Sequence, residues 1–577
     1  MNSQMHNPGH GSRFAEKDEI INAATKIKCD DDRLDAGGVP LYSDGKTAYV
    51  DNQDSHSLIF GATGSMKTRR IIMPTIATLI KHGESIVVHD PKGELYKRFA
   101  KLLDRNEYDT HVLNFRDSGK GSRWNPLSTA YAHYLEGNID KSTESIRDIA
   151  ECIYGGLSSK TDDIFWANTA IDYFVGLALL LRDVVEEGAF TIENIRLAHS
   201  LGDEQNGASR IINEYFNKTD KFSEASVHLS GTVLAPNETR TSIHSVFSQP
   251  LSLYLQENLC DMLCESDFSF SSLGRQKTAI FLITPDERSG YNPIITTFIK
   301  LCYGCLIDIA HSNGCGETLP LRVNFVIDEF SSLPPISDFN NMISAGRSRN
   351  IRFHLVVQNL SQLFRSYTKE TAETVITNCG VWLVLRSKDY ILHELLGKMC
   401  GVYISDYGHV ERSLLDTTTV QKLSKTRGEV LILKDGHYPF ITELPDIDEY
   451  SFNLPTYAKT TFLSRQPKER SLFDIRDALK EKRVLTMNLP AAETAGYQPQ
   501  ITGATQQSCG ELNPTRLKEK KKPFTPPVMP SPVPSGGVGS IMQCKDMQIC
   551  YHHKEVKKQQ PPIDVQEQSS LVKFLWP

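Results

Sequence analysis

The chain has 577 residues, of which 40% are hydrophobic and 23% charged, an average globular composition with length for a large core and about two to four domains. Collagen, a disulfide miniprotein and wholesale disorder are excluded. With 63 Lys and Arg against 70 Asp and Glu the formal net charge is −7, so no global basic field marks a nucleic-acid partner and any such contact must be local.

In chain order, residues 1–55 read as a lead-in segment. The runs SLIF (57–60), SIVVHD (85–90) and THVLNF (110–115) follow as predicted strands within 56–133. Residues 134–270 hold few such runs and many amphipathic helix-like stretches, among them 142–154 and 165–185, which predicts an all-α domain inserted into an α/β domain. Strands resume over 271–455 with TAIFLIT (278–284), VNFVIDEF (323–330), FHLVV (353–357), VWLVLRS (381–387) and EVLILKDG (429–436). Several of these runs are apolar throughout, as strands covered on both faces are, so the sheet is predicted to be mostly parallel. Residues 456–577, with PFTPPVMPSPVP (523–534) followed by SGGVGS, read as a low-complexity, largely disordered tail. Its basic tract KEKKK (518–522) reads as a solvated run, with a DNA contact as the alternative; its last residues, LVKFLWP, read as a frayed end or a docking segment.

The 12 cysteines follow no repeated spacing and no secretory signal precedes them, which predicts a reduced, cytoplasmic protein. Cys302 and Cys305 form a CxxC inside the apolar stretch 294–310 and read as core residues, with metal or redox work as the alternative. Cys544, Cys550, His552 and His553 match no standard zinc spacing. The apolar windows 174–181 and 294–310, the second broken by Lys300, fall short of the about 20 residues a membrane-spanning helix needs, so the chain is expected to be soluble by itself.

The strongest chemical signal is Gly61, Ala62, Thr63, Gly64, Ser65, Met66, Lys67 and Thr68, set directly between a predicted strand and a helical stretch. A phosphate-binding loop needs that setting, because successive backbone N–H groups and a helix N-terminus make a nest for anionic oxygens. Lys67 would then bridge the β- and γ-phosphates of a nucleotide, and the hydroxyl of Thr68 would ligate Mg²⁺. An ordinary glycine-rich turn is the alternative. Met66 stands where a glycine is expected before the lysine, so its side chain either crowds the nucleotide or forces a changed loop path.

Asp328 and Glu329 end the apolar run VNFVI, where Asp328 can hold the Mg²⁺ shell and Glu329 can orient or activate water; a solvated pair at a strand end is the bland reading. Gln358 ends the next run and is a candidate γ-phosphate sensor. Arg347 and Arg349 are candidate arginine fingers for a neighbouring subunit's nucleotide, which implies a ring, or else surface salt bridges. Residues 90–94, Asp-Pro-Lys-Gly-Glu, end a strand and either line the same site or form a plain turn. Lys67 and Asp328 lie 261 residues apart (328 − 67), more than a compact nucleotide-binding core uses, which favours the helical insertion.

Together these residues resemble the coupling ATPases of type IV secretion and conjugation, the TraG/TraD-like family. The resemblance covers about residues 9 to 455 and is carried, in order, by HGSRF, GATGSMKT, HDPKGELY, RWNPLS, DIFW, AIFLITPDE, VIDEFSSLP, AGRSRNI, QNLSQL, ITNCG and RGEVLILKDG. It implies a RecA-like P-loop motor domain carrying an inserted all-α domain and assembling as a homo-hexamer. It further implies ATP and Mg²⁺ as cofactors, and single-stranded DNA or a relaxase/DNA-processing complex as cargo. Type IV secretion pore proteins would be partners, at the inner face of the membrane. Lys67 and Thr68 would take Walker A roles, Asp328 and Glu329 Walker B roles, and Gln358 the sensor role. Most relatives carry two membrane helices ahead of the segment like HGSRF, so the sequence is expected to be a membrane-free variant recruited by a partner, or to start downstream. The other readings are an FtsK- or HerA-type DNA translocase, and a nucleotide-binding adaptor that scarcely turns over because of Met66.

Overall fold

Every apolar run named above lies in one nine-stranded sheet. The computed structural model of the protein describes residues 11–157, 164–207, 209–314, 316–404, 411–457, 462 and 464–476. The chain first forms β1 (Thr25–Lys28), β2 (Val39–Ser43) and β3 (Thr47–Asp51), a separate antiparallel sheet in the order β1-β3-β2. The segment 1–55 is therefore more than a lead-in. Its strands escape a reading of the sequence because each has only four or five residues; β1 buries only Ile27.

β4 (Ser57–Phe60), β5 (Ser85–Asp90) and β6 (Asp109–Asn114) come next, and the chain then leaves the sheet. Up to its return it is helical, apart from a small hairpin of β7 (Gln205–Asn206) and β8 (Ser209–Arg210). β9 (Thr278–Ile283), β10 (Val323–Ile327), β11 (Ile351–Val357) and β12 (Val381–Val384) rejoin the sheet. After a second hairpin, β13 (Val402–Ile404) with β14 (Glu411–Ser413), β15 (Glu429–Lys434) and β16 (Phe440–Glu443) complete it. The order is β16-β15-β12-β4-β11-β10-β5-β9-β6. From β12 to β6 every pairing is parallel, and only β15 and β16 run antiparallel at one edge.

All residues of β4, β5, β9, β10, β11 and β12 are buried, which is why these strands read as largely apolar runs without a polar face. One face of the sheet packs Ile59, Ile86 and Val88 against the helices Met73–His82 and Glu94–Arg105 and the small sheet. The other packs Leu58, Phe60 and Val87 in one continuous core with Ile139–Tyr154, Ile164–Arg182 and Asn292–Ser312. The helical excursion thus shares its core with the sheet.

Two of the helices packed on this face exceed the apolar windows read from the sequence, because polar residues such as Thr169 in the first and Asn292 and His311 in the second extend them. Ile164–Arg182 and Ser289–Ser312, with 19 and 24 residues, are long and apolar enough to cross a membrane by length and composition, contrary to the expectation. In the fold 67% and 72% of these windows are buried, so both serve as core helices. Cys302 is buried among them, and Lys300 is held by Asp338 at 3.1 Å and Asp148 at 3.6 Å.

The expected tail also needs correction at its start, because residues 464–476 form a strap across the helical region. Arg465 donates to the carbonyls of Lys120 (3.1 Å), Gly121 and Ser122 (both 3.3 Å) and pairs with Asp261 at 3.0 Å. Asn194 holds the strap from both sides, donating to Ser471 O at 2.7 Å and accepting from Phe473 N at 2.9 Å, and Ile475 is fully buried. The proline tract, the basic run 518–522, the Cys544, Cys550, His552 and His553 group and the final seven residues lie outside the described residues.

At the N-terminal edge of the sheet Arg352, 1% exposed, bonds Glu84 at 2.6 Å and Asn324 at 2.8 Å, and reaches back to the carbonyls of Gln53 (3.2 Å) and Gly37 (3.3 Å). It therefore ties the small sheet to the large one. Burial pushes the Glu84 carboxyl up, but Arg352, His82 and Arg322 outweigh it and hold it at about 2. Glu84→Ala strands a buried guanidinium, and denaturant unfolding is expected to show a loss of about 3–5 kcal/mol. Because the folded pKa lies below the ordinary 4.5, Glu84's stabilising share should be complete above that pH and vanish as pH falls towards 2. A Glu84→Gln variant should flatten that part of the pH–stability curve.

Candidate functional site

Residues 61–68 run from the end of β4 into a helix whose first turn, Thr68–Ile72, is a wide π-turn leading into Met73–His82. The loop closes on itself through Ser65 N–H to Ala62 O at 3.0 Å. A Cβ on Gly61 would lie 2.4 Å from Ser65 Oγ, so any larger residue there would push the Ser65 side chain aside. Lys67 folds over the loop and donates to Gly61 O and, at 3.3 Å, to Ala62 O. Among the described residues the amides of Gly64, Met66 and Lys67 find no protein acceptor. Met66 adopts φ 74°, the left-handed turn that glycine takes freely, so the loop keeps that turn and the methionine bears a penalty of about 1 kcal/mol.

Two residues that sequence reasoning missed anchor the start of this helix. Arg69 is bonded to Asp446 (Nε to Oδ2, 2.7 Å) and Asp448 (2.5 Å), and Arg70 to Leu444 O and Thr426 O (2.9 Å). Their signal in sequence is only an Arg-Arg pair after the loop and an Asp-Ile-Asp far beyond it.

The parallel register brings the other candidates to the loop's edge. Phe60 pairs with Val357, Leu355 with Ile327, and Ile327 with His89. Gly61, Gln358, Asp328 and Asp90 therefore leave four neighbouring strands, spaced about 4.8 Å apart, on one side, with Gln358 two residues beyond the level of Asp328. Gln358 sits between the loop and the carboxylates, accepting from Thr63 Oγ1 at 3.3 Å and donating to Glu329 Oε1 at 3.5 Å. Glu329 is itself left-handed, at φ 57° and ψ 41°. Residues 90–94 share this edge: Asp90 Oδ2 accepts from Tyr96 N at 3.0 Å, and Arg116 donates to Pro91 O at 3.2 Å.

The edge carries surplus negative charge. Burial pushes the Asp328 carboxyl up to about 7, with Glu329 and Asp90 adding to the push and Lys67 opposing it. Asp90 is pushed up to about 6, by burial and by Glu94. Burial lowers Lys67, while Asp328 and Glu329 favour its charged form. A cation near Asp328 and an anion over the loop amides would answer both needs, so the residues fit a magnesium–triphosphate complex held by Thr68, Asp328, Lys67 and the loop.

Arg347 and Arg349 are not brought to this edge within one chain. They form a short turn before β11, whose seven residues separate them from the loop by about 20 Å, and Arg349 faces Glu317 at 3.6 Å.

A parallel sheet with the loop strand and the carboxylate strand flanking a third strand, and an antiparallel edge, defines a RecA-like P-loop fold. A family model described as Type IV secretory system Conjugative DNA transfer matches residues 8–427, and the chain belongs to that family. Among its relatives, Protein VirD4 of Rhizobium radiobacter is 23% identical over 363 residues, 62% of this chain and 49% of that protein. A probable conjugal transfer protein TraG of Sinorhizobium fredii is 24% identical over 428 residues, 70% of this chain and 60% of that one. The chain thus spans about half to three-fifths of the length of these relatives. Among solved structures, the unbound bacterial conjugative coupling protein TrwBdeltaN70 matches with a TM-score of 0.56 at 16% identity, over 79% of this chain and 97% of that one. TrwB in complex with the ATP analogue ADPNP matches with a TM-score of 0.54 at 15% identity, over 80% and 99%. At such identity the likeness is one of fold.

Met66→Gly is expected to stabilise the full chain by up to about 0.5 kcal/mol, the left-handed penalty less the extra freedom glycine gives the unfolded chain. Met66→Val should destabilise it, and thermal unfolding of the three proteins reads both signs.

Proposed function

We propose that this chain is an ATP-driven coupling motor that recruits single-stranded DNA, or relaxase–DNA complexes, and feeds them into a type IV secretion channel. The observation that carries the reading is the convergence of Lys67, Gln358, Glu329 and Asp328 at one sheet edge, in a chain of the conjugative DNA transfer family. The nucleotides in the TrwB complexes, ADPNP in one and ADP with Mg²⁺ in another, support ATP and Mg²⁺ here. Residues 61–68 bind the phosphates through their amides, and Lys67 exchanges its loop carbonyls for the β- and γ-oxygens. When bound by Thr68 and Asp328, magnesium supplies positive charge to the phosphates. Glu329 orients the attacking water and takes its proton, while Gln358, bonded to both Thr63 and Glu329, senses the γ-phosphate.

Arg347 and Arg349, remote from their own chain's loop, act on a neighbour's nucleotide in a homo-hexameric ring. The helices within 134–270 handle cargo, and the motor works at the inner face of the membrane through pore partners. Purified chain should hydrolyse ATP faster with single-stranded DNA present. Lys67→Ala should abolish that rate, and Glu329→Gln should slow turnover by about 10²–10⁴-fold with ATP still bound. An unchanged rate in the Lys67 variant would sink the motor.

A further inference from the structure

Glu329 holds a left-handed backbone that a residue with a Cβ adopts at a cost of about 1 kcal/mol, so its neighbours must enforce it. The peptide joining Asp328 to Glu329 is gripped at both ends. Its N–H donates to Asp328 Oδ1 at 3.0 Å, and its carbonyl, that of Asp328, accepts from His89 Nδ1 at 2.7 Å. A carbonyl can only accept, so Nδ1 carries the ring proton and Nε2 is left to accept from the Thr284 hydroxyl at 3.1 Å. His89 pairs in register with Ile327 of β10 on one side and Leu282 of β9 on the other. The ring, 4% exposed, therefore spans three strand ends in one tautomer and takes the carbonyl that the ladder no longer uses beyond Ile327. From the backbone so fixed, Glu329 reaches Gln358, and Gln358 reaches Thr63 of the phosphate loop.

We propose that His89 is a positioning residue for ATP hydrolysis: by clamping the Asp328–Glu329 peptide it aims the Glu329 carboxylate at Gln358 and the γ-phosphate. The inference rests on the motor reading above. Both ring nitrogens of His89 are taken up by protein groups, so its loss should change turnover and leave affinity alone.

In the full chain, His89→Ala is expected to lower kcat about 10–100-fold with KM for ATP within about twofold. His89→Asn, whose amide nitrogen falls near Nδ1 and can donate to the Asp328 carbonyl, should recover most of the rate. His89→Gln, whose amide falls near Nε2, should not. An alanine variant as fast as wild type overturns the clamp, as does an asparagine variant no better than the glutamine one; that second comparison also stands if the alanine variant fails to fold. Crystal structures of the variants read the clamp without turnover. Glu329 should leave its left-handed conformation in the alanine variant, or in the glutamine variant should alanine not fold, and keep it in the asparagine variant. A Glu329 that stays left-handed without the Nδ1 donor overturns the inference at any ATPase rate. Wild-type chain that neither binds nor hydrolyses ATP overturns the proposed function instead, and the crystallographic comparison still decides the clamp.

Discussion

Direction is the constraint on which the rest of the molecule depends. Seven strands running the same way, β12 through β6, deliver all their C-terminal ends to one edge. Polar side chains just past those ends meet whether or not they are near in sequence, which is how Lys67 comes under the influence of Asp328 and Glu329. The same geometry concentrates like charge: Asp90 and Asp328 end adjacent strands, and each is harder to ionise than a free carboxyl. The edge is built short of positive charge, and the loop beside it short of acceptors.

The opposite edge solves a different problem. There Arg352, Glu84, Asn324, His354 and Ser57 form a buried polar chain, with His354 to Ser57 at 2.8 Å, in which donors and acceptors satisfy one another. Such a network at the start of the strands fixes their register, and register decides which residues surface at the far end.

Much of this was legible in the sequence, for a physical reason. Strands buried on both faces must be largely apolar, so β4, β5, β9, β10, β11 and β12 announced themselves, and the residues at the ends of β4, β5, β10 and β11 were the ones with chemistry. The phosphate loop, the carboxylate pair and Gln358 followed from that rule. The small sheet, with only four or five residues per strand, gave no such signal. Nor did the strap at 464–476, whose hold rests on Arg465 and Asn194 finding backbone groups distant in sequence. His89 was hidden differently: a histidine inside an apolar run reads as core, and only its two bonds reveal a link between three strand ends. Met66 was noticed as an anomaly, but composition could not say that the backbone would keep the left-handed turn.

The clasp formed by Arg69 and Arg70 has a mechanical meaning. The helix leaving the phosphate loop is riveted, one and two residues past Thr68, to residues 426 and 444–448, which flank the two antiparallel strands at the rim of the sheet. A shift of the loop is thereby a shift of that rim as well, so whatever rests against β15 and β16 feels the state of the loop through rigid leverage, with no flexible linkage in between.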